Sequence, residues 1–190
     1  MLTHKGTQTI KTPRLTLRRF TIDDVQAVYS NWANDPAVTE FLCWQAHENT
    51  DITHSVLASW VENYAKNDYY QWVIVPDDIG EPIGCIAAVK QDDEISMVHI
   101  GYALGKAWWH QGYMSEALAA VIEFFFIQVG INRVESRHDP NNSHSGGVMK
   151  KCGMKYEGTL RQADHSNKGI VDACMYAILK DEWSDENEAN

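Results

Sequence analysis

The chain has no apolar stretch long enough to cross a bilayer or to act as a secretion signal. Its opening residues, MLTHKGTQTIKTPRL, hold no continuous apolar stretch, and the apolar run from Phe124 to Ile127 is bounded by Glu123 and Gln128. A spanning helix needs about 20 such residues. A soluble, cytoplasmic protein is therefore expected, without a membrane partner. Cysteine is also scarce. Cys43, Cys85, Cys152 and Cys174 show neither metal-ligand spacing nor a redox pair, so no metal is expected and the thiols read as reduced, in the core or near the surface. Positive charge is short: 16 Lys and Arg face 26 Asp and Glu, a formal net charge of -10. That balance argues against a nucleic-acid partner, and either favours a cationic one or simply serves solubility. Internal repeats and low-complexity linkers are absent too. Residues 1–183 read as a single domain and 184–190 as an acidic, disordered tail.

What is present suffices for a core, since 44% of the 190 residues are hydrophobic and 11% aromatic. RLTLRRF alternates like a strand, and Thr21 with Asp24 has capping-box spacing for a helix whose stripe is Val25, Val28, Tyr29 and Trp32. Asp35-Pro36 is expected to end it. A second helix carries Val56, Leu57, Trp60, Val61 and Tyr64, after a loop rich in aromatic and polar groups, EFLCWQAHENT. YQWVIV, IGCIAAVK and SMVHIGYAL read as three antiparallel strands separated by the turn signals PDDIGEP and QDDE. A long helix to about Gln128, a strand RVESRH, a helix from about Ser143 to Cys152, and strands KYEGTLR and VDACMYAIL complete the order.

The segment WWHQGYMSEALAA, Trp108 to Ala120, delivers a polar loop with one glycine onto a helix start. The first N–H groups of a helix lack intrahelical acceptors and sit at the positive end of the peptide dipole, so such a junction attracts anions, phosphate above all. Leu118, Val121, Ile122 and Phe125 recur at helical spacing and bury one face, which anchors that end.

The element order, with this junction just after HIGYAL, resembles the GNAT superfamily of acetyl-CoA-dependent N-acetyltransferases. Four stretches carry the likeness across nearly the whole chain. TPRLTLRRFTIDD is similar to the opening of the ribosomal-protein N-terminal acetyltransferase (RimJ/RimL-like) branch, and HIGYALGKAWWHQGYMSEA to its central strand and pyrophosphate loop. NNSHSGGVMKKCGMKYEG carries Asn142-x-x-Ser145 and the Gly153 turn, and GIVDACMYAILKDEW is similar to the closing strand. The resemblance implies an α+β GNAT fold, a mixed, mostly antiparallel sheet of about seven strands flanked by about four helices. Two departures stand out. Trp109 and Met114 occupy positions where the superfamily prefers Gln or Arg and Gly or Ala, and His99 stands where the branch commonly has Glu.

The resemblance further implies that the N–H groups of His110, Gln111, Gly112, Tyr113, Met114 and Ser115 receive the pyrophosphate of coenzyme A. Ile100, Gly101 and Tyr102 would then bind the pantetheine arm and acetyl carbonyl through their backbone, and Asn142 would bind pantetheine through its amide. Ser145 matches the donor to the leaving thiolate. Acetyl transfer to an amine also needs a route for the amine proton. His99, with an ordinary pKa of roughly 6.5, is the expected base, a role to be weighed against that of a solvent-facing or hydrogen-bonded strand histidine; burial would lower its pKa and a carboxylate such as Glu40 or Glu94 would raise it. Trp44, in the polar loop, is the expected wall of the acceptor pocket. The implied activity is acetyl transfer from acetyl-CoA to a primary amine, either a protein N-terminus or a small amine, by direct attack in a ternary complex. A homodimer is compatible with this reading. The alternative is a non-catalytic acyl-CoA-binding module of the same fold; a doubly wound nucleotide-binding fold is excluded by the hairpin strands and by the lack of a phosphate fingerprint after the first strand.

Overall fold

The structure is a computed structural model that describes residues 2–183, so the tail expected at 184–190 lies outside the described residues. Eight strands form one sheet: β1 (Ile10–Lys11), β2 (Leu15–Arg18), β3 (Gln71–Pro76), β4 (Gly84–Asp92), β5 (Met97–Leu104), β6 (Arg133–His138), β7 (Lys155–Ser166) and β8 (Gly169–Leu179). Their spatial order is β1-β2-β3-β4-β5-β6-β8-β7, and every neighbouring pair is antiparallel except β5 and β6. The strand beyond the expected seven is β1. Two residues are too few to show a period-2 pattern, and only pairing with β2 at Ile10↔Leu17 and Lys11↔Thr16 makes them a strand.

The helices are α1 (Val25–Val28), α2 (Pro36–Thr39), α3 (Thr50–Asn63), α4 (Tyr113–Phe124) and α5 (Ser143–Lys151), with short 3-10 turns at Ile22–Asp24 and Lys106–Trp108. α1 widens into π geometry over Tyr29–Ala33 and α4 over Phe125–Val129. The capping box at Thr21 and Asp24 is formed, and Arg18 grips the same carboxylate at 2.8 Å through both terminal nitrogens. Asp35-Pro36 does more than end α1: Asp35 Oδ1 accepts the Ala37 N–H at 2.8 Å with Pro36 in the first turn, which starts the extra helix α2.

β3 is buried along its whole length, and it divides its side chains between two cores. Trp72 and Ile74 pack with Leu118, Val121, Ile122 and Phe125 of the α4 segment, while Val73 and Val75 pack with Val28 and Trp32 of the α1 segment and Leu57 of α3. The sheet is thus covered on both faces, α4 and α5 on one side and α1 and α3 on the other. An aromatic nest of Tyr70, Trp72, Phe124 and Phe125, with most rings edge-on, fills the α4 side. The Trp72 indole N–H is satisfied by the Gln8 carbonyl at 2.7 Å.

The parallel pair β5 and β6 decides where a ligand can enter. Its register covers only Met97↔Arg133, Val98↔Val134 and His99↔Glu135. At the next position the Ser136 hydroxyl donates to the Ile100 carbonyl at 2.7 Å, a side chain taking the place of a backbone donor. Beyond that tie the strands part. β5 runs on to Gly105 and the α4 junction, while Asp139-Pro140 turns β6 into α5.

Candidate active site

A cleft of about 530 Å3 opens where β5 and β6 part. It is lined by Gly101 to Leu104 on one side and Ser136 to Asp139 on the other, and it reaches both faces of the sheet. On the α4 and α5 face its walls are the starts of those helices and Lys151; on the opposite face they are Val38, Glu40, Phe41 and Leu42 around α2, with Asp164 and Ser166 of β7.

At the α4 end, Gly112 is the cap residue with φ 82°, a left-handed conformation that costs an L side chain roughly 1–2 kcal/mol. The Glu116 N–H returns to the Gly112 carbonyl at 3.0 Å. Among the described residues, none of the N–H groups from His110 to Ser115 has an acceptor within the chain, which leaves a cradle of donors at the positive end of α4. His110, Gly112, Tyr113, Met114 and Ser115 line the cleft. Gln111 does not: its amide donates to Ala107 and its carbonyl accepts from Arg14 at 3.2 Å.

Arg14 and Glu116 clamp this turn. Arg14 donates to Glu116 from its Nε at 2.7 Å and its backbone N–H at 3.0 Å, Thr12 adds a bond of 2.7 Å, and the guanidinium lies 4.6 Å over the Tyr113 ring. Burial pushes the Glu116 pKa up, but the bonds from Thr12 and Arg14 outweigh it and hold the carboxyl below its ordinary value. Trp109 fits as a brace, its indole N–H bound to the Leu104 carbonyl at 2.7 Å, and Met114 is a core residue at the cleft wall.

At the α5 end, Asn142 caps the helix, its Oδ1 accepting from the Ser145 N–H at 3.4 Å, and the residue also lines the cleft. Ser145 is held from β5: the Tyr102 hydroxyl donates to the Ser145 carbonyl at 3.0 Å and lies 2.9 Å from Ser145 Oγ. Burial drives the Tyr102 pKa well above its ordinary value, against the Ser145 bond that lowers it. The structure therefore brings Gly101, Tyr102, the α4 donors, Asn142 and Ser145 to one cleft. Gly101 has a local cause as well, because a Cβ there would sit 2.9 Å from Cγ1 of Val89, the residue at the β4 bulge.

Like Gln111, three more of the expected residues stand outside the cleft lining. Ile100 does not line the cleft: it is 1% exposed, and its carbonyl is taken by Ser136. Trp44 packs at a tilt against His47, with ring centroids 5.3 Å apart, and Phe41 and Leu42 stand in the wall instead. Loop composition marked the right segment, but only docking of the β7–β8 tip selects the face. Asn167 at that tip donates from Nδ2 to the Thr39 and Trp44 carbonyls, both at 2.8 Å. His99 is 8% exposed in the paired part of β5, before the strands separate, with Nδ1 3.1 Å from Glu135 Oε1 rather than near Glu40 or Glu94. Burial lowers its pKa despite Glu135.

Sequence reasoning missed Arg137, Asp139 and Asp164. Asp139 had a local signal, three residues before Asn142 in the same DPNN turn; Asp164 lies on an edge strand whose pattern is exposed almost throughout. Among the described residues no cysteine lines the cleft, and burial pushes the Cys85 and Cys152 thiols up to about 12. Among the described residues no cluster of three or more potential metal ligands occurs, and no helix is long and apolar enough to cross a membrane.

A family model for the acetyltransferase (GNAT) domain matches residues 14–155. An uncharacterised N-acetyltransferase of Bacillus subtilis, YnaD, is 30% identical over 92% of this chain and 99% of its own. Among solved structures, a GNAT-family acetyltransferase from Bacillus anthracis superposes with a TM-score of 0.81 at 24% identity, over 92% of this chain and 99% of that one. The ribosomal L7/L12 α-N-protein acetyltransferase RimL, solved with coenzyme A, superposes with a TM-score of 0.80 at 21% identity, over 90% of this chain and 98% of that one.

Proposed function

Because the chain belongs to the GNAT acetyltransferase family, we propose that it moves the acetyl group of acetyl-CoA to a primary amine, a protein N-terminus or a small amine, by direct attack in a ternary complex. The observation that carries this reading is the cleft between β5 and β6, which joins the α4 donors on one face of the sheet to an acidic wall on the other. Two substrates can meet there from opposite sides.

The α4 cradle suits a pyrophosphate, since its N–H groups are preorganised by the Arg14–Glu116 clamp and need no rearrangement to bind. The Gly101 to Leu104 edge suits the pantetheine arm, with the Asn142 amide across from it. In the reaction the acceptor, once its ammonium form has given a proton to solvent, bonds through nitrogen to the thioester carbonyl carbon, the C–S bond breaks, the nitrogen sheds its second proton to solvent, and the sulfur leaves as a thiolate that takes up a proton. Ser145 is the hydroxyl suited to donate to that sulfur as the C–S bond breaks, and Tyr102, held protonated by its raised pKa with its own proton given to the Ser145 carbonyl, keeps the Ser145 oxygen in place. Among the described residues no cysteine lines the cleft, which supports direct attack over an acetyl-cysteine route.

The test is release of free CoA from acetyl-CoA over a panel of alkylamines and of peptides with free or blocked N-termini. Amine-dependent release with intersecting initial-rate lines is the expected outcome. Tight acetyl-CoA binding with no release for any amine would instead assign the chain to the non-catalytic acyl-CoA-binding class.

A further inference from the structure

The charges along the acceptor half of the cleft pair off with one exception. Glu40 Oε1 lies 2.6 Å from Lys168 Nζ, and Asp164 Oδ1 lies 2.7 Å from Arg137 Nη2. Asp139, 5% exposed, also lines the cleft. Its Oδ1 accepts the N–H and the side-chain amide of Asn141 at 2.8 and 2.9 Å, while its Oδ2 is buried with no donor among the described residues. A buried carboxylate oxygen left without a donor is costly, and a cation that reaches it recovers that cost. Lys168 does not fill the role. Its ammonium is bound to Glu40, which chiefly raises its pKa, and the Asp139 field only adds to that rise. The same field nevertheless favours any ammonium brought to this end of the cleft.

We propose that Asp139 is the anionic subsite that takes the ammonium group of the acceptor, so that the substrates are amines that enter as cations. The inference rests on the acetyl-transfer reading for the identity of the second substrate. Asp139 lies three residues before Asn142 and six before Ser145 on one strand-to-helix turn, so an ammonium at Oδ2 is held by the segment that also carries the groups assigned to the thioester end. Val38, Phe41, Leu42 and Val171 supply an apolar wall for the alkyl part of such an amine. Basic alkylamines and peptide N-termini meet both demands; a neutral alcohol of the same shape meets only the second.

The experiment is an NMR titration of the CoA-saturated protein with n-butylammonium and with 1-butanol, in the wild type and in Asp139→Asn, whose side-chain oxygen still accepts both bonds from Asn141. Wild type is expected to bind butylammonium about tenfold or more tighter than butanol, the scale of one charge-assisted hydrogen bond, and Asp139→Asn to bind the two alike. The carboxyl 13C resonance of Asp139 in the wild type should move with butylammonium and not with butanol, a readout that needs no variant. No ammonium preference in the wild type, a preference that survives Asp139→Asn, or an unmoved resonance overturns the proposal and leaves a hydrated turn carboxylate. These readouts are independent of turnover. A protein that holds butylammonium at Asp139 but releases no CoA refutes the transfer reading alone, and one that acetylates butylamine without ammonium preference refutes the subsite alone.

Discussion

Removing the Tyr102 hydroxyl tests how Ser145 is held beside β5. Tyr102→Phe keeps the ring that packs against the α4 core and deletes the group lying 2.9 Å from Ser145 Oγ and 3.0 Å from the Ser145 carbonyl. The Ser145 oxygen then loses the contact that keeps it in place. An ordinary hydrogen bond contributes about 0.5–1.5 kcal/mol net, which at 1.36 kcal/mol per decade corresponds to a loss of roughly 2- to 13-fold in kcat. Because Tyr102 is argued to act through Ser145, the loss should vanish in a Ser145→Ala background. A double-mutant cycle on kcat, with acetyl-CoA affinity measured separately, reads this directly. The raised pKa keeps Tyr102 protonated across the working range, so the Tyr102→Phe deficit should not vary between pH 6 and 9. Losses that simply add in the double variant would show that Tyr102 acts on something other than Ser145, and the assigned positioning role would fail.

Further outcomes follow from the same site. Gly112→Ala places a Cβ at φ 82°, 3.4 Å from Arg14 Nη2, and should cost roughly 1–2 kcal/mol of stability in denaturant melts while weakening CoA binding by calorimetry. Glu116→Gln should cost about 1 kcal/mol at neutral pH, near the low end because Arg14 is half-exposed. With the folded pKa below the ordinary value of 4.5, that advantage of the wild type is present above 4.5 and is lost as pH falls through the lowered value, so the two melting curves should converge in acid. His99→Gln should leave the pH limb of the rate in place, since the imidazole stands outside the cleft; a limb that disappears would restore it as the base. Burial favours the neutral His99, so its contribution to stability is present above pH 6.5 and lost as pH falls through the lowered folded value. The stability gap between wild type and His99→Gln should narrow accordingly between pH 7.5 and 5.

The elements with a local cause were legible from the residues alone. α4 could be read because its apolar stripe, its glycine cap and its donor-rich start all lie within one stretch of chain, and the cleft forms against that junction. α5 could be read in the same way, with Asn142 as its cap. The extra strand β1 and the single-turn helix α2 were less legible: the first exists only by pairing with β2, and the second rests on one Asp-Pro cap. Among side chains, Trp44 and His99 had plausible chemistry in plausible places, and nothing local told which way either points.

By itself, the order of strands and helices determined the fold class, and the loop-to-helix junction determined where unpaired helix-end donors gather, because periodicity, caps and helix-end donors are properties of neighbouring residues. The tertiary structure alone decided the acceptor side. Asp139, Asp164 and Glu40 meet across one cleft only because β5 and β6 pair for three residues and then part, and because the β7–β8 tip folds back onto α2. Whether a carboxylate is paired depends on groups more than a hundred residues away in the chain, as Lys168 is from Glu40. A buried charge takes its role from what surrounds it in space, and that surrounding is not written at any one position.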